Sequence, residues 1–140
     1  MAPPAKTILV DISVHPESRA ILEAIPGIHV RLVDPAEEAR HLPAAILRDV
    51  NAVFCTYLPT NHDEMRSLEF VQICSSGYSQ LLGLKLPERG VRASNASGVF
   101  DVAIAEWNIA MCINLARDLR SLIRNQEAAI FDRSARFQPH

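Results

Sequence analysis

The stretch Ser75-Ser76-Gly77-Tyr78-Ser79 holds the residue types best suited to chemistry in this chain. It offers consecutive backbone N–H groups, small hydroxyls and a glycine free to take a positive φ. Successive N–H groups in such a turn can form a nest for an anion. A small carboxylate or phosphate would suit it. The plainer reading is a strand-to-helix turn with capping serines. A second stretch is Asn95-Ala96-Ser97-Gly98-Val99-Phe100-Asp101. Asn95 suits a tight turn, and Asp101 favours a helix N-terminus through the macrodipole. For most of these residues the simpler reading is a loop leading into a helix.

Other chemistry is excluded by spacing. The glycines are Gly27, Gly77, Gly83, Gly90 and Gly98, and no two are separated by one residue. There is no G-x-G-x-x-G turn, no P-loop and no G-x-S-x-G elbow. Ser79 has no histidine nearby in sequence to activate it as a nucleophile. Cys55, Cys74 and Cys112 lie far apart and form no metal spacing, and the five histidines are equally scattered. No metal site is expected. Cys55 and Cys74 fall in apolar strand-like runs and Cys112 in an apolar helical run. The three read as buried thiols in a reducing, cytoplasmic setting.

The elements that must position these loops follow from periodicity. Thr7-Ile8-Leu9-Val10-Asp11-Ile12 fits a strand buried on both faces. Pro16 opens a helix that runs toward Pro26-Gly27. Ile28-His29-Val30-Arg31-Leu32-Val33 alternates, as a strand nearer an edge does. Residues 36–48 are helix-like but broken by Pro43. Ala52-Val53-Phe54-Cys55-Thr56 is a third strand. A short helix is expected over residues 61–68 with Asn61 as its N-cap. Phe70-Val71-Gln72-Ile73-Cys74 is a fourth strand and Val91-Arg92-Ala93-Ser94 a short fifth. Strands alternating with helices over short links predict an α/β fold with an open parallel sheet and helices on both faces. Ligands of such sheets bind beyond the carboxyl ends of the strands. The segments to inspect are therefore residues 11–14, 56–60, 75–80 and 95–100.

Residues 101–124 read as one long helix, apolar on nearly every side. A helix lying on a single core needs one apolar stripe, whereas this one calls for burial on several faces. Glu106, Asn108, Asn114, Arg117, Asp118 and Arg120 interrupt it, so it is a poor membrane span.

The 140 residues suffice for one ordinary domain, with 49% hydrophobic and 21% charged residues. A net charge of −2 carries no nucleic-acid footprint. The N-terminus has no apolar signal core, and no membrane partner is expected.

Several stretches together resemble the NAD-dependent D-isomer-specific 2-hydroxyacid dehydrogenases, such as phosphoglycerate, glycerate and formate dehydrogenases. They read Leu68-Glu69-Phe70-Val71-Gln72-Ile73, Ser76-Gly77-Tyr78, Gly90-Val91, Asn95, Gly98, Val102-Ala103-Ile104-Ala105-Glu106 and Arg117. Their order and spacing is more specific than any one piece. The resemblance implies a flavodoxin-like substrate domain over residues 1–100. It implies an interdomain and dimerisation helix over 101–124, and a linker over 125–140 toward an absent NAD-binding Rossmann domain. Ser76, Gly77 and Tyr78 then bind the carboxylate of a small 2-hydroxy or 2-oxo acid. The family's catalytic arginine, glutamate and histidine belong to the second domain, so no catalytic and no cofactor-binding residue is assigned here. NAD or NADP is implied for the whole enzyme, none for this chain alone, which is expected to be inactive and homodimeric through residues 101–124. The loop departs from the usual family pattern. Many members have glycine at the position of Ser75 and aspartates at those of Ser79 and Leu82, so no single substrate is indicated. A truncated, non-enzymatic module for dimerisation or small-anion binding is the alternative. A receiver-type domain would want clustered acids at the end of the first strand, where Asp11 stands alone.

Overall fold

The computed structural model describes residues 5–132. The second half of the tail expected as a linker, residues 133–140, and the first four residues lie outside them. The chain divides into two compact units, Met1–Ser97 and Gly98–His140.

The first unit is an all-parallel five-stranded sheet. β1 (Lys6–Asp11) is followed by α1 (Pro16–Glu23), β2 (Ile28–Leu32), α2 (Ala44–Leu47), β3 (Val50–Cys55), β4 (Phe70–Ile73) and β5 (Arg92–Ser94). The strand order is β2-β1-β3-β4-β5. This is the flavodoxin-like order, with its topological switch between β1 and β3. β-branched and apolar residues fill the central strands. Leu9, Val10, Val50, Val53, Cys55, Val71 and Ile73 have at most 1% of their surface exposed. Each of these Leu, Val and Ile side chains contributes about 1.5–3 kcal/mol by leaving water. β2 lies at the edge, as its alternation predicts.

Three local expectations change. Residues 36–43 form no helix, and only Ala44–Leu47 is helical, directly after Pro43. Proline disfavours helical backbone in the residue before it, so the helix can begin only at that point. The short helix after β3 is a 3₁₀ turn, His62–Glu64, and the Asn61 side chain does not cap it. Its amide instead brackets Leu42, accepting from the backbone N–H at 3.1 Å and donating to the carbonyl at 2.9 Å. Asn61 is buried, and these two bonds satisfy it.

In the second unit, the single helix expected over 101–124 is two helices, α3 (Asp101–Arg117) and α4 (Leu119–Glu127). Asp118 between them takes left-handed backbone, φ 46° and ψ 49°. Aspartate is among the few residues that adopt this conformation singly. No residue of α3 or α4 is buried. Trp107 is 61% and Leu115 83% exposed. Cys112 is exposed as well, contrary to the expectation of three buried thiols; Cys55 is buried and Cys74 half-buried. The burial that the apolar composition of α3 calls for is not found at any residue of that helix among the described residues. No described helix is long and apolar enough to cross a membrane.

Candidate functional site

The carboxyl ends of β3, β4 and β5 bring three of the four inspected segments together. Ser75-Ser76-Gly77-Tyr78 leaves β4 and passes into a 3₁₀ turn, Ser79–Leu81. Its carbonyls are engaged one after another. Ser75 O accepts from the N–H of Ala96 at 3.0 Å. Ser76 O accepts from Asn95 Nδ2 at 2.6 Å. Gly77 O accepts from the Ser75 hydroxyl at 2.8 Å.

Those three bonds decide where the next three N–H groups point. A trans peptide is planar, with its C=O and the following N–H on opposite sides, and no peptide bond here is cis. Fixing the carbonyls of Ser75, Ser76 and Gly77 therefore turns the N–H groups of Ser76, Gly77 and Tyr78 the other way. Among the described residues, no protein group accepts from any of the three. Exposed N–H groups in series are an anion-binding arrangement.

Gly77 does not need a positive φ, contrary to the use expected for it. What its lack of a side chain does provide is room. A Cβ built there meets nothing within 4 Å. Ser76 Oγ donates to Ala96 O at 3.2 Å, which fastens the loop a second time to the segment after β5. Tyr78 is 60% exposed. It borders a hollow of about 340 Å³ with Leu81, Ala93, Ser94 and Asn95.

Two residues matter more than the sequence suggested. Asn95, expected as a turn former, anchors the loop through Ser76. Gln80, not singled out at all, donates to Ser75 Oγ at 2.7 Å and to Thr56 O at 3.2 Å. It ties the end of β4 to the end of β3. The only hint was a lone amide between Ser79 and two leucines.

The fourth segment, at the end of β1, does not join this loop. Asp11 is 4% exposed and pairs with Arg40 Nη2 at 2.8 Å. Burial pushes its carboxyl above the ordinary value, while Arg40 and a backbone hydrogen bond from Ala36 pull it down. Burial, with Asp11 and Cys74 nearby, pushes the Cys55 thiol up to about 12. Cys55 therefore stays a protonated, inert thiol beneath the strand ends. A separate open hollow of about 810 Å³ lies at the ends of β1 and β2, bordered by Arg19, Asp34 and Arg40. The described residues contain no group of three or more His, Cys, Asp or Glu able to hold a metal.

No protein-family model matches the sequence, and no curated protein matches it either. Solved structures do. A D-lactate dehydrogenase from Treponema pallidum matches with a TM-score of 0.70 at 16% identity, over 95% of this chain and 42% of that one. An NADPH-dependent glyoxylate/hydroxypyruvate reductase from Sinorhizobium meliloti, in complex with citrate, matches with a TM-score of 0.72 at 22% identity, over 94% and 41%. A D-lactate dehydrogenase from Aquifex aeolicus, complexed with NAD and lactic acid, gives 0.72 at 13% identity, over 96% and 41%. At these identities the likeness is one of fold. It agrees with the resemblance to the D-2-hydroxyacid dehydrogenases read from the sequence. The chain spans about two-fifths of the length of these structures.

Proposed function

We propose that this chain is the substrate-binding part of a cytoplasmic NAD(P)-dependent oxidoreductase acting on the CH–OH group of a D-2-hydroxy acid. The N–H groups of Ser76, Gly77 and Tyr78 hold the substrate carboxylate. The observation that carries this reading is the row of three N–H groups without an acceptor, set by three engaged carbonyls behind them. Charge-assisted bonds of this kind are roughly twice as strong as neutral ones. They orient a planar carboxylate without a charged side chain.

The residues present do not fit the cofactor. The sequence has no G-x-G-x-x-G turn. Nor, among the described residues, does any histidine hydrogen-bond to the 75–80 loop. The role of the chain is to grip and orient the acid. By itself it carries out no hydride transfer. The apolar side chains of α3, exposed in the single chain, suit a homodimer formed through residues 101–124.

The test is a titration of the isotopically labelled chain with oxalate, a compact stand-in for a 2-oxo acid. The amide resonances of Ser76, Gly77 and Tyr78 should move saturably, with a dissociation constant on the order of 1 mM. Shifts elsewhere but not at these three would sink the reading. Incubation with NADH and glyoxylate should give no turnover, and measurable turnover would overturn the assigned role.

A further inference from the structure

The amide of Gln80 reaches two acceptors, and one of them fixes its orientation. Thr56 O is a carbonyl and can only accept, so the atom facing it at 3.2 Å is Nε2. The second proton of Nε2 goes to Ser75 Oγ at 2.7 Å. That hydroxyl is thus already accepting, and its own proton is directed to Gly77 O at 2.8 Å. Gly77 O belongs to the same peptide plane as the N–H of Tyr78, on the opposite side. The chain of bonds therefore runs from the end of β3, through Gln80 and Ser75, to the orientation of one N–H in the loop.

We propose that Gln80 is a positioning residue that sets the Gly77–Tyr78 peptide through the Ser75 hydroxyl and so presents the Tyr78 N–H to a bound carboxylate. The inference rests on the carboxylate reading for its ligand, but the peptide orientation is independent of it. Without Gln80, the Ser75 hydroxyl can rotate to other acceptors or to water. The Gly77 carbonyl then loses its only hydrogen-bond donor among the described residues, and the peptide is free to turn. Gln80 also borders a hollow of about 230 Å³ with Tyr57, Thr60 and His62.

Two variants of the full chain test this. Gln80→Met keeps the side-chain length and removes both donors, and Ser75→Ala removes the relay hydroxyl. Without ligand, both should move the Gly77 carbonyl carbon and Tyr78 amide resonances, while those of β1 and β3 stay in place. With oxalate, each should weaken binding about tenfold, the effect of losing one oriented donor. The double variant should lose no more than either single one, because both act through one relay. Unmoved Gly77 and Tyr78 resonances in either folded variant overturn the proposal, whatever oxalate does. So does wild-type affinity in Gln80→Met. If those resonances move but the wild-type chain takes up no oxalate, the positioning role stands and the carboxylate reading falls. Should Gln80→Met fail to fold, Ser75→Ala decides alone.

Discussion

Gly77 has no duty inside the fold that another residue could not meet. Its φ is not positive and the space beside it is open. Gly77→Ala should therefore leave stability unchanged or raise it by up to about 1 kcal/mol, through a less flexible unfolded chain. A methyl group beside the three N–H groups should nonetheless weaken oxalate binding about tenfold or more. Urea unfolding and the amide titration check the two halves separately. Asp11 poses a different question. Because burial raises its carboxyl, the native chain takes up that proton at a higher pH than the unfolded chain. Between the ordinary value of 3.8 and the raised one, the folded state binds more protons, so this contribution to stability grows as pH falls. Glu69 works the other way. A hydrogen bond from Lys6 lowers its carboxyl, and that support is present above the ordinary value of 4.5 and lost as pH falls through the lowered one. Asp11→Asn should erase the first trend from urea midpoints measured against pH and leave the second. Asp11→Ala removes the ion-pair partner of Arg40, whose Nη2 keeps the Asp34 carbonyl as an acceptor. The cost should be roughly 2–3 kcal/mol, below that of a fully buried pair because a third of the Arg40 side chain is exposed.

At the scale of elements, Asp118 is the position where one residue decides a path. Its left-handed backbone ends α3, and its carboxylate accepts from the Ser121 N–H at the start of α4. Asp118→Ala keeps the strain of a positive φ and loses the cap, so α4 should weaken by about 1–2 kcal/mol. Asp118→Asn keeps a side-chain oxygen for the cap and tolerates the left-handed backbone, so it should cost less than the alanine variant. Helical circular dichroism during thermal unfolding distinguishes them. This break could not be read from the apolar spacing, because Leu119, Leu122 and Ile123 carry apolar positions at helical intervals past it. The strands were more legible. β1, β3 and β4 announce themselves by β-branched runs, and β2 by alternation, since a sheet imposes a period of two wherever one face is more buried. Residues 36–43 misled because helix-like composition was overruled by Pro43 and by the bonds that Arg40 and Leu42 make elsewhere. Asn61 misled because an amide before a turn suits a cap and a tertiary bracket equally well. In the loop, Ser76, Gly77 and Tyr78 were visible as a type of turn. Two of the three carbonyl partners that orient them come from Ala96 and Asn95, some twenty positions later, and no local pattern encodes such a meeting.

The molecule as a whole sets a well-filled parallel sheet in one unit and apolar, exposed helices in the other. If residues 101–124 form the contact between two copies, Trp107 is the natural anchor, since large aromatics dominate such interfaces. Trp107→Lys should weaken association by about 2 kcal/mol or more, roughly thirtyfold. Sedimentation equilibrium measures this directly, and an unchanged dimer would move the interface away from α3. The placement of that side chain has a consequence for optical work. Trp107 is the single tryptophan of the chain and lies in the helical unit, while both tyrosines, Tyr57 and Tyr78, lie in the sheet unit. Indole emission therefore reports on the helical unit. A melting curve followed by that colour can report a chain as unfolded while its sheet is intact. Tyrosine absorbance gives the complementary view, from two phenols at the strand ends where the acid would sit.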